Sequence, residues 1–79
     1  MDKRLKSLCT LLGRRVRSLR KEIRISQEEL AFRADIDRTY ISQIERGVGN
    51  PSLLVLVKIA EVLRVTVPEL LFENLREKC

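Results

Sequence analysis

Histidine is missing from all 79 residues, which removes both a common metal ligand and the usual general base near neutral pH. Cysteine is scarce too: Cys9 and Cys79 are too few and too far apart in sequence to make a metal knuckle. No metal and no cofactor are therefore expected. Aromatics number three, Phe32, Tyr40 and Phe72, so the core has to be aliphatic and the stacking platforms that bind single-stranded nucleic acid are missing. The longest apolar run is five residues, Leu53 to Val57, and basic residues interrupt the N-terminus. Neither a membrane span nor a signal peptide is expected, and the compartment expected is a reducing cytoplasm, with Cys9 a core thiol. There is no Gly-rich phosphate loop and no nucleophile beside a base, and a domain this small has a thin core, burying about 60% of the surface its unfolded chain exposes. An enzyme is thus the weakest option, and no small-molecule ligand is expected.

What the chain does contain is charge, unevenly spread. The net charge is +5, with hydrophobic residues at 44% and charged residues at 34%, a balance suited to a soluble globular domain. Residues 1–24 carry nine Lys/Arg against Asp2 and Glu22, a balance of +7, whereas residues 25–79 carry seven against nine, a balance of −2. The basic excess therefore sits on the first segment. Charge alone supports a solvated helix face and a phosphate-facing surface equally.

Strand-like alternation is nearly absent, while apolar residues recur at steps of three and four, so the fold class predicted is all-α, with five helices in a single domain spanning residues 1–79. The first helix is predicted from about Asp2 to Ile23, with the stripe Leu5, Leu8, Cys9, Leu12, Val16, Leu19 and Ile23 facing inward. Arg14, Arg15, Arg17 and Lys21 fall outside that stripe, and Gly13 is expected to loosen the helix midway. The second begins at Ser26, where Ser26 and Glu29 form a capping box, and ends near Ala34. Asp37 caps a third, with Ile36 and Ile41 spaced as a hydrophobic staple and Gly47 as its left-handed stop. After the loop "VGNP", Ser52 caps a fourth helix reaching about Leu63; Thr66 and Glu69 box the start of a fifth, with Pro68 in its first turn.

The second and third helices are short, separated by only Asp35 and Ile36, and share the apolar residues Leu30, Ala34, Ile36, Ile41 and Ile44. So tight a turn makes a helix-turn-helix over about residues 26–46, with Ala31 small at the crossing and Asp35 in a left-handed conformation. The stretch "SQEELAFRADIDRTYISQIERG" followed by "NPSLLVLVKIAEVLRVTVPELL" resembles the lambda repressor and Cro class of helix-turn-helix regulators (the XRE family), from Arg20 to Leu71. Within that class "DRTYIS" with "IERG" is most similar to the controller proteins of restriction-modification systems.

The resemblance implies a five-helix lambda-repressor-like domain that binds double-stranded DNA. It implies base contacts from Arg38, Thr39, Tyr40 and Gln43 on the third helix: Arg38 to guanine acceptors, Gln43 to adenine, Thr39 to a thymine methyl or a phosphate, Tyr40 to backbone or base. Gln27, Arg46, Asn50 and Ser52 are the implied backbone contacts, with Ser52 open to capping the fourth helix, contacting DNA through its amide, or both, and Arg20 with Glu45 the implied structural ion pair. The chain departs from the class at Arg24, where a Gly often closes the first helix, and at Val48 and Gly49, which leave the following loop poor in charge. On the fourth helix a core face of Leu53, Leu56, Val57, Ile59, Ala60 and Leu63 leaves Leu54, Val55 and Val62 surplus; with Phe72 and Leu75 they are the predicted homodimer interface. The function expected is a homodimeric regulator that binds palindromic operator DNA and contacts or excludes RNA polymerase, as the autoregulatory controller of a restriction-modification operon in a bacterial or phage setting, at the nucleoid. The alternatives are a generic phage-type or chromosomal repressor and an antitoxin-like interaction module, the last disfavoured by the polar outward chemistry of the third helix.

Overall fold

Each helix starts where a short polar side chain can take up an orphan backbone N–H. Asp2 Oδ1 accepts from the Arg4 amide at 2.7 Å and opens α1 (Lys3–Glu22); Ser26 Oγ accepts from Glu29 at 2.9 Å and opens α2 (Gln27–Ala34); Asp37 Oδ1 accepts from Thr39 at 2.7 Å and opens α3 (Arg38–Glu45). Ser52 Oγ accepts from Val55 at 3.2 Å for α4 (Leu53–Leu63), and the capping box of Thr66 and Glu69 is complete for α5 (Val67–Leu71). The box predicted at Ser26 is only half made. Glu29 turns instead to Arg33 one turn along, at 2.6 Å, an exposed pair that competes for its carboxylate. The computed structural model describes residues 2–72, and among them there is no strand.

The first four helices end alike. A residue with positive φ follows the last turn (Arg24 at 59°, Asp35 at 56°, Gly47 at 76°, Arg64 at 59°). Paired backbone bonds then close each end, as in Gly47 N to Ile44 O and Val48 N to Gln43 O, both 3.0 Å. The next residue is a branched aliphatic each time, Ile25, Ile36, Val48 or Val65, and all but Val48 pack on the core. Only one of the four left-handed positions is a glycine. The arginines carry a cost of about 1–2 kcal/mol each for their Cβ, less the extra unfolded-state entropy a glycine would bring. Arg64→Gly is therefore expected to stabilise the fold by about 0.5–1 kcal/mol, read as a rise in melting temperature of a few degrees.

The core lies among all five helices: Leu12, Val16 and Leu19 of α1, Leu30 and Ala31 of α2, Ile41 and Ile44 of α3, Ile59, Ala60 and Leu63 of α4, and Leu70 of α5. Helix α1 packs on α3 and α5, α2 on α3 and α4, and α4 on α5. Four sequence expectations change. Leu8 and Ile23 are exposed, so the inward stripe of α1 is shorter than predicted. Arg15 is not outside but 9% exposed, its Nη2 donating to the Glu69 carbonyl at 2.8 Å. That carbonyl is in the last turn of α5, where the negative end of the helix dipole suits a cation. Gly13 does not loosen α1: it lies within an unbroken helix, at the contact with α3.

The fourth change concerns α4. Leu53 and Val57, predicted in the core, are 69% and 41% exposed, while Val55 and Val62, predicted at an interface, are half-buried against the core. Leu54 and Phe72 are exposed as expected, and Leu75 lies outside the described residues. A helix written LLVLVKIAEVL is apolar nearly all round, so periodicity fixes its inward face only loosely; Lys58 and Glu61 are its only polar markers.

Candidate nucleic-acid interface

Ile41 and Ile44 are buried on one side of α3, which turns Arg38, Thr39, Gln43 and Arg46 outward into solvent. This division follows from the helical step, since positions 41 and 44 share a face that 39, 43 and 46 oppose. Tyr40 sits on the flank, half-buried, with its ring packed against the core. Ser42 belongs with the outward group, although the sequence analysis did not name it. It lines a polar cleft of about 190 Å³ with Gln27, Arg38 and Thr39, where the start of α2 meets the exposed side of α3. Its spacing of three and four from Thr39 and Arg38 was the available signal.

Glu45 fixes how this face is presented. Its side chain is 3% exposed and accepts from Arg20 Nε at 2.6 Å, Arg20 Nη2 at 2.9 Å and Gln27 Nε2 at 3.1 Å. Arg20, 11% exposed, spends Nη1 on the Ile25 carbonyl at 2.9 Å. One carboxylate thereby ties the end of α1, the start of α2 and the end of α3 together. The hydrogen bond to Glu45 holds the Arg20 pKa above its ordinary value against the opposing effect of burial, and the carboxylate's charge adds to it. The guanidinium is thus cationic wherever the domain is folded. Gln27 stands at the first position of α2 with one amide hydrogen committed to Glu45, so its head is held in place beside the cleft.

The loop after α3 is secured by α1. Gly47 packs on Thr10, and the Cys9 thiol donates to the Gly49 carbonyl at 3.3 Å. Asn50 is exposed on that loop, and Ser52 is exposed while its hydroxyl caps α4. Arg46 is exposed with Nε lying 3.4 Å over the Ser42 carbonyl. Of the DNA-contact residues named from sequence, Gln27, Arg38 and Thr39 come together at the cleft, while Gln43, Arg46, Asn50 and Ser52 are exposed on α3, at its end and on the loop that follows. The exception is Tyr40, whose ring is shared with the core.

The helix-turn-helix family profile matches residues 16–70, which span α2, the turn, α3 and the helices that brace them. The chain belongs to the helix-turn-helix family. Among helix-turn-helix relatives it is 48% identical over 62 residues to the control protein C.BamHI of Bacillus amyloliquefaciens, covering 77% of this chain and 76% of that one. Its fold is similar to the crystal structure of the restriction-modification controller protein C.AhdI from Aeromonas hydrophila, with a TM-score of 0.76 and 40% identity over 78% of this chain and 94% of that one. It is also similar to SinR, the master regulator for biofilm formation, crystallised in complex with DNA, with a TM-score of 0.74 and 42% identity over 77% of this chain and 98% of that one. The five-helix fold and the resemblance drawn from "DRTYIS" and "IERG" are both borne out. No described helix is long and apolar enough to cross a membrane.

Proposed function

We propose that the protein is a sequence-specific DNA-binding regulator of transcription that occupies a palindromic operator as a homodimer and controls its own restriction-modification operon. The observation that carries this reading is the outward side of α3: Arg38, Thr39, Ser42 and Gln43 offer donors and acceptors of the kind that read base edges, on a helix held rigid by a buried carboxylate. Arg38 and Gln43 read bases, Thr39 meets a thymine methyl or a phosphate, and Tyr40 reaches the DNA with its hydroxyl edge. Gln27, Arg46, Asn50 and Ser52 set the register on the phosphates. The control and controller proteins among its relatives support the narrower role, and the SinR–DNA complex supports the partner.

Leu53, Leu54 and Val57 are exposed together on α4, and Phe72 is exposed just beyond α5. They are the apolar surface on which a second copy packs, which places two α3 helices about 34 Å apart on successive turns of DNA. Bound there, the protein acts without catalysis, in the cytoplasm at the nucleoid, by contacting or excluding RNA polymerase. A mobility-shift titration with the DNA upstream of its own gene tests this. The expected result is a complex with two protein copies that unrelated DNA of the same length does not compete away. Binding that ignores sequence throughout overturns it, and the absence of endonuclease and methyltransferase genes beside it overturns the restriction-modification role in favour of a generic repressor.

A further inference from the structure

The basic excess of the first segment is not solvated at random. Seven Lys/Arg of the first segment are exposed, Lys3, Arg4, Lys6, Arg14, Arg17, Lys21 and Arg24, and among the described residues none of them is in an ion pair. Five of these, Lys3, Lys6, Arg14, Arg17 and Lys21, fall within about 80° of arc at the helical step of 100° per residue, the last four along roughly 22 Å of helix beyond the first turn. The exposed acid Glu22 stands about 100° round from Lys21, off the stripe.

The packing says which way this stripe points. Helix α1 grips α3 through Gly13, whose missing side chain lets the Ile44 and Glu45 carbonyls come up against the helix, and through Arg20, which holds Glu45. Arg17 lies one turn from each of these positions. Thr10, packed on Gly47, stands one turn from both Lys6 and Arg14. The stripe therefore runs along the border of α1 beside the end of α3 and the loop that follows it. Contact through a glycine puts two helix axes near the short end of the usual 8–10 Å. A major groove is about 12 Å wide, so a helix lying that far to the side of one in the groove stands over a bounding phosphate chain. The loop itself offers little charge, since Val48 and Gly49 occupy its middle.

Resting on the proposal that α3 enters the major groove, we propose that Lys6, Arg14, Arg17 and Lys21 form a second DNA-contacting surface, a phosphate track along α1 that extends the footprint beyond the base-reading contacts. It adds affinity without sequence preference, and it takes over the work that the charge-poor loop cannot do.

The test uses the full chain with Arg17→Ala and Lys21→Ala together, titrated against operator and scrambled duplexes over a series of salt concentrations. Each phosphate that is no longer neutralised makes the slope of log K against log salt shallower by about 0.9, so the variant's slope should be shallower by about 2 on both duplexes. Its preference for operator over scrambled DNA should equal that of the wild type. The charge-matched control is Arg4→Ala with Arg64→Gly, where Arg4 stands about 100° round α1 from Lys21, off the stripe, and Arg64 closes the far end of α4 from Ser52; its slope should stay near the wild-type value. An unchanged slope in the first variant overturns the track, and so does an equal loss in the control, which would mean net charge alone. If the wild type itself shows no operator preference, the reading of α3 fails, while the comparison of slopes on scrambled DNA still decides the track.

Discussion

Gly13→Ala is expected to destabilise the protein by about 3 kcal/mol, near the upper end of what overpacking a closed contact costs. Helix propensity alone predicts the opposite sign, since Ala in the middle of a helix is about 1 kcal/mol better than Gly. Contact with α3 decides the matter. A Cβ at position 13 would collide with the Ile44 carbonyl oxygen and stand 2.7 Å from that of Glu45. Both obstacles are backbone, so neither can swing away as a side-chain tip would. Relief requires α1 and α3 to move apart, which pulls Glu45 from Arg20 and shifts the outward side of α3. For a domain of this size the loss lowers the melting temperature by roughly 12–24 °C. A thermal melt showing Gly13→Ala equal to or above the wild type would mean that the close approach is not there.

Glu45→Ala is expected to cost about 3–5 kcal/mol, because it leaves the Arg20 guanidinium 11% exposed with no carboxylate. A stability of about 5–15 kcal/mol is typical of a small domain, so this change removes a large share of it. The pair differs from an exposed one such as Arg33 with Glu29, where 49% and 43% of the side chains are exposed and the expected value is only about 0–1 kcal/mol. Replacing both partners, Arg20→Met with Glu45→Leu, should cost much less than Glu45→Ala alone, since no charge is then stranded. Urea unfolding of the three variants measures the difference. A cost below about 1 kcal/mol for Glu45→Ala would show that water already compensates Arg20.

The contrast between Gly13 and Glu45 shows where sequence was informative. The pairing of Arg20 with Glu45 came through the family resemblance, and the caps at Ser26, Asp37, Ser52 and Thr66 were readable from local chemistry alone. The left-handed turn at Asp35 was readable too, because a two-residue link between amphipathic helices leaves few alternatives. Gly13 was misjudged because a helical glycine looks the same in sequence whether it marks a weak point or a close approach. Only the position of α3 tells them apart. Arg15 was misjudged for a related reason: a long side chain on the border of an apolar stripe can lie along the core when a helix end such as that of α5 stops within its reach. The face of α4 was ambiguous because Leu53, Leu54 and Val57 are as apolar as the residues beneath them. Ser42 was overlooked in favour of larger polar neighbours, although its step along α3 already set it beside Arg38 and Thr39.

The central claim, that the outward side of α3 reads bases, is tested most directly by one ratio: affinity for the upstream operator over affinity for a scrambled duplex, at fixed salt. It is measured by fluorescence anisotropy for the wild type and for Arg38→Ala with Gln43→Ala. A good side-chain contact to a base edge contributes about 1–3 kcal/mol of discrimination, so removing two should lower the ratio by about thirtyfold or more while binding to scrambled DNA changes little. Both substituted residues are exposed, so the variant's melting temperature should stay within a few degrees of the wild type. A double variant that keeps the wild-type ratio would contradict the account, because α3 would then be a surface helix and the sequence would be read elsewhere.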